Sequence, residues 1–175
     1  MSKILKKVVF VIGLGMMHTV YAADIKTTGN ENKANQYTRC ASSALTTGFI
    51  KTAFNQQSDR ESQALIYGGA GMALYAGYLT SPEYALSSYK NHQQKIKQDS
   101  LKYISNGTRN EIYKFTVSYL VPKNEKCEPL FRELGKILAK KDADWDNFQN
   151  SDQAKELMEN ITQSAKEMIV GKNSN

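Results

Sequence analysis

Residues Ile112 to Val121 read IYKFTVSYLV, and their conformation decides the fold class. Phe115, Val117 and Tyr119 alternate with Lys114, Thr116 and Ser118, the period of a half-buried strand. Ile112, Phe115, Thr116 and Tyr119 equally fit one face of a helix. Two features outside the stretch favour helix. Thr108 to Glu111, TRNE, forms a capping box, in which the threonine hydroxyl accepts from the third helical amide and the glutamate reaches back. No second stretch offers a strand to pair with, and an isolated strand does not hold in water. Pro122 is expected to end this helix.

Downstream, Glu128-Pro129 opens a helix with Leu130, Phe131, Leu134, Ile137 and Leu138 on its apolar face. A last helix carries Ala154, Leu157, Met158, Ile161, Ala165, Met168 and Ile169 on one face. Upstream, Tyr37, Cys40, Ala41, Ala44, Leu45 and Gly48 mark a first helix from Ala34 to about Asn55. Ser58 to Glu61, SDRE, reads as a capping box for a second helix running to about Leu79. In that helix Gly69, Ala73 and Gly77 lie four apart on one face. Each glycine costs about 1 kcal/mol against alanine, and close approach of a neighbouring helix is the plausible return. Ser81-Pro82 starts a third helix, which Asn106-Gly107 is expected to stop. The fold expected is all-α, a single-domain helical bundle of about five to six helices tied by one long-range disulfide.

The N-terminus speaks to compartment. Lys3, Lys6 and Lys7 precede an apolar run, Val8 to Met17, too short to span a bilayer. Val20-Tyr21-Ala22 places small residues for cleavage after Ala22. The chain is therefore read as a signal peptide (1–22), a flexible mature N-terminus (23–33), a helical domain (34–171) and a disordered tail (172–175). Periplasmic or secreted localisation follows. The net charge of +6 falls to +3 once the three signal lysines are removed. That modest charge, with export, argues against a nucleic-acid partner. No later stretch is long and apolar enough for stable membrane insertion of the mature chain. Cys40 and Cys127, the two cysteines, read as a disulfide in an exported protein.

Catalytic signatures are sparse. His18 leaves with the signal, which leaves His92. No Ser-His-Asp order and no G-x-S-x-G occur. Glu61, Glu111 and Glu133 are candidates for paired carboxylates, although two of them have capping explanations. On the third helix Lys90, Lys95, Lys97 and Lys102 form a basic strip suited to acidic partners. Tyr89, His92 and Lys95 of that helix are read as a candidate interface, in a chain rich in tyrosine.

One stretch resembles a metal site. In KDADWDNFQNSDQ, Asp142, Asp144 and Asp146 fall at positions 1, 3 and 5 of a calcium loop. Asn147 replaces the glycine at position 6, and Gln153 the bidentate glutamate at 12. Such a site binds weakly at best, and a weak calcium site is the sole cofactor considered. The stretch is read instead as a hinge docked by Trp145 and Phe148, with Ser151 or Asp152 starting the last helix.

The overall plan is similar to that of periplasmic immunity and adaptor proteins, which neutralise or escort secreted effectors. The expectation is an exported, non-enzymatic periplasmic protein that binds a protein partner through a helix face. The alternative is a cell-wall glycan hydrolase using paired carboxylates. A third reading is a small-molecule or lipid carrier with an enclosed apolar pocket.

Overall fold

A computed structural model of the protein describes residues 29–54, 59–140 and 142–170. The expected signal peptide, Ser58 and the expected tail 172–175 lie outside these. Helix α1 spans 29–54. It is followed by α2 (Arg60–Leu79), α3 (Pro82–Ser100), α4 (Arg109–Phe115), a π-helical turn (Thr116–Leu120) and α5 (Val121–Glu125). Then come α6 (Glu128–Leu138), α7 (Ala143–Gln149) and α8 (Asp152–Val170). No strand occurs among the described residues, and the fold is an all-α bundle.

The deciding stretch is helical. Phe115, Thr116 and Leu120 are buried, whereas Val117 is 45% exposed, which breaks the strand alternation. The capping box forms as read. Glu111 N donates to Thr108 Oγ1 at 3.3 Å, and Thr108 N donates to the Glu111 carboxylate at 3.0 Å. The same carboxylate also accepts from Ser105 Oγ at 2.6 Å. The Ser105 hydroxyl first, then the Thr108 amide, pull the Glu111 pKa down to about 2. A depressed folded pKa contributes stability above the unfolded value of 4.5 that disappears as pH falls towards 2. Glu111→Gln is therefore expected to lower the denaturation midpoint at pH 7. The gap from wild type should close between pH 4.5 and pH 2. A gap independent of pH would mean that the carboxylate charge is not what caps α4.

Pro122 does not end this rod. Proline has no N–H to give to the preceding turn. Just before it the helix widens, and Val121 N–H bonds five residues back to Thr116 O. The register changes and the rod continues through Glu125. Three further boundaries differ from expectation. Residues 29–33, expected to be flexible, are already helical. Tertiary contacts hold them: Lys33 pairs with Glu133 of α6, and Tyr84 OH donates to the Glu31 carbonyl at 3.3 Å. The cap of α2 is Asp59, which accepts from Ser62 N at 2.6 Å. Glu61 pairs with Lys51 of α1. Finally, α3 stops at Ser100 in a turn closed by short-range bonds from Leu101, Lys102 and Tyr103. Gly107, at φ +71°, belongs to the loop entering Thr108.

Helix α2 lies at the centre, touching α1, α3, α6, α7 and α8. Its small residues admit these neighbours at different points along the helix. A Cβ at Gly69 would lie 2.9 Å from Leu45 Cγ and 3.2 Å from the Ala41 carbonyl of α1. One at Gly77 would lie 2.9 Å from Leu157 of α8, and one at Gly68 2.5 Å from the Phe131 ring of α6. The close approach inferred from the glycine spacing is thus present. The main core gathers Tyr37, Leu45, Met72, Tyr89, Leu157 and Ile161. Trp145 is buried and meets Tyr75 and Tyr78 edge-on at ring distances of 5.7 and 5.5 Å. The sulfurs of Cys40 and Cys127 lie 1.97 Å apart and tie α1 to the turn entering α6.

Candidate functional site

An open groove of about 440 Å³ lies between α1, α3 and the α4–α5 rod. Four basic side chains line it: Arg39 from α1, Lys95 from α3, Lys123 from α5 and Lys126 from the turn that follows. Asp99 is the single carboxylate in the lining. Its charge is already engaged, by Lys102 Nζ at 2.6 Å and by Tyr119 OH at 2.5 Å. The Lys102 contact first, then the Tyr119 hydroxyl, hold the Asp99 pKa below the usual carboxylate range. Burial and the Asp99 carboxylate push the Tyr119 hydroxyl up, so it stays a donor. Lys123 Nζ sits 4.5 Å over the Tyr119 ring centroid, a cation–π contact that places this cation at the rim.

His92 joins the groove through a chain of polar groups that leads inward. Asn35 Oδ1 accepts from Ser88 Oγ at 3.0 Å and lies 2.8 Å from His92 Nε2. Thr38 and Ser88 hydroxyls meet at 2.7 Å behind it. A carbonyl oxygen only accepts, so Nε2 carries hydrogen and Nδ1 is the nitrogen that gains a proton. Burial first, then the Lys95 and Arg39 cations, lower the His92 pKa and keep the ring neutral at pH 7. Ser43, on the groove wall, has a buried hydroxyl with no hydrogen-bond partner among the described residues.

The structure sorts the residues read from sequence. His92 and Lys95 line the groove together. Tyr89 does not: it is fully buried in the main core and cannot form an interface. It sits one turn before His92, on the inward side of α3. Of the basic strip only Lys95 reaches the groove, while Lys102 is paired with Asp99. The aspartates are not drawn into a metal cluster among the described residues. Asp142 caps α7, accepting from Asp144 N at 3.0 Å and Trp145 N at 3.2 Å. The segment read as a hinge is itself a short helix, α7, because that cap satisfies its first amides, and Trp145 docks it as expected. Ser151 Oγ accepts from Ala154 N and starts α8.

The three glutamates suggested for paired-carboxylate chemistry have separate employments. Glu61 holds Lys51, Glu111 caps α4 and Glu133 holds Lys33. None lines the groove. A smaller depression of about 90 Å³ between α3 and α8 contains Glu83 and Glu156. Glu83 has its pKa lowered by hydrogen bonds at the start of α3, the opposite of what a general acid needs. Arg39, Ser43, Lys123 and Lys126 carried no signal in the sequence, since they converge from positions up to 87 residues apart only when the chain folds. No protein-family model matches the chain, and no curated protein or solved structure is found to be similar to it.

Proposed function

We propose that this is a non-enzymatic binding protein, exported to the periplasm, that recognises an acidic protein partner at the face around the basic groove. The observation that carries the reading is the charge of the groove: four cations converge where the single carboxylate is already bound. Such a patch attracts an acidic surface from solution and fixes its register, and the attraction weakens with salt. The scaffold supports the role. The disulfide joins two of the elements that form the groove walls, α1 and the turn after α5. A rigid helical backbone spares the cost of ordering a loop on binding, leaving that of fixing the Arg and Lys side chains. No helix among the described residues is long and apolar enough to cross a membrane.

The test is retention of periplasmic protein on immobilised wild type and on an Arg39→Glu/Lys123→Glu variant of unchanged helical content. Wild type is expected to retain an acidic protein at low salt and release it as salt rises, with retention at least about tenfold weaker on the variant. Equal retention by both would move the contact away from the groove. No retained protein at any salt would overturn the reading.

A further inference from the structure

We infer that the groove is also a binding site for a small organic phosphate monoester, with Arg39, Lys95 and Lys123 receiving the phosphoryl group. The inference rests on the same groove as the reading above but does not require a protein partner. The argument is charge, shape and donor chemistry. A single carboxylate from a ligand would leave most of the positive charge of Arg39, Lys95, Lys123 and Lys126 unbalanced. A phosphate monoester brings nearly two negative charges and three acceptor oxygens. Arginine supplies a planar fork suited to two of those oxygens, and the lysines supply point charges around it.

The volume points the same way. At about 440 Å³ the groove falls within the range of small-ligand sites and exceeds the need of a bare inorganic ion. Its wall includes the Ile96 side chain, the Tyr119 ring and Cys127 of the bridge. These surfaces suit the carbon skeleton of an ester while the cations take the head. An oxyanion that reached the floor would also supply the acceptor that the Ser43 hydroxyl lacks.

His92 reports occupancy. The charged groups of the groove around it are Arg39 from α1, Lys95 and Asp99 from α3, Lys123 from α5 and Lys126 beyond it. Lys95, Arg39 and Lys123 add to burial in holding its pKa down. An anion among these cations cancels their field and favours imidazolium, so the His92 pKa must rise on binding.

The experiment titrates the mature protein with glycerol phosphate at low ionic strength, following heat and the His92 ring resonances. Saturable binding with a Kd below about 1 mM is expected, with an upward shift of the His92 pKa at saturation. Arg39→Gln and Lys123→Gln should each weaken binding about tenfold. Lys140→Gln removes an exposed charge outside the groove and should leave it unchanged. No saturation by about 10 mM, equal affinity for acetate, or an equal loss in Lys140→Gln would each overturn the inference. Salt-sensitive protein retention that persists after such a failure would leave the partner reading standing. Phosphate binding without any retained protein would do the reverse.

Discussion

Replacing Cys40 and Cys127 together by alanine is expected to remove a large part of the stability of the fold. The bridge joins residues 87 apart. Closing a loop of that length restricts the unfolded chain by about 4–5 kcal/mol in the chain-entropy account, an upper figure. For a domain of this size the midpoint of thermal unfolding should fall on the order of 10 °C. Both sulfurs are buried, so the alanine pair also loses some packing between α1 and the start of α6. Unfolding in denaturant with and without reductant measures the same quantity on the wild-type chain. Coincident curves, with reduction verified by thiol titration, would show that the helices hold this geometry without the covalent tie.

Tyr89 is expected to respond in opposite directions to two substitutions. Its ring is fully buried in the main core, and its hydroxyl has no hydrogen-bond partner there. Burial alone pushes the hydroxyl pKa up, which fits an apolar setting. Tyr89→Ala removes the ring and leaves a cavity, at a cost of about 3–5 kcal/mol. Tyr89→Phe keeps the ring and removes a polar atom whose lone burial costs about 1–3 kcal/mol. The phenylalanine variant should therefore match or exceed wild type in equilibrium unfolding, and partner retention should not change. A loss above about 1 kcal/mol in Tyr89→Phe would reveal a partner for the hydroxyl. A stable alanine variant that merely lost binding would restore Tyr89 to the interface.

What the sequence disclosed is what short-range chemistry settles. The Thr108–Glu111 box and the Ser81-Pro82 start each involve residues within one turn, so their spacing is visible in the chain. The cysteine pairing needed only a count of two. The glycines of α2 announced close approach because their cost in a helix demanded a return. Differences arose where distant residues decide or where a local turn leaves no pattern in the chain. Residues 29–33 show no apolar period, yet Glu133 and Tyr84 hold their helix from far along the chain. The aspartates of 142–146 partly matched a calcium-loop template but were read as a hinge; what the chain did not show is that the hinge is a helix capped by Asp142. Pro122 read as a stop because the wide turn that accommodates it leaves no sequence mark. The groove was the least visible feature. Arg39, Lys95 and Lys123 belong to three helices, and no periodicity links them.

The covalent tie has a mechanical corollary. A force applied to the two ends of the chain enters through α1 and leaves through α6 and beyond, crossing directly at the sulfur–sulfur bond. The span between the two cysteines, with α2, α3 and the rod, bears no load. Stretched out, that span would measure about 300 Å, all of it withheld from extension while the bond lasts. Under tension, therefore, only the start of α1 and the segments from α6 to α8 can be drawn out, and what remains behaves as a short tether carrying an unstretched ring.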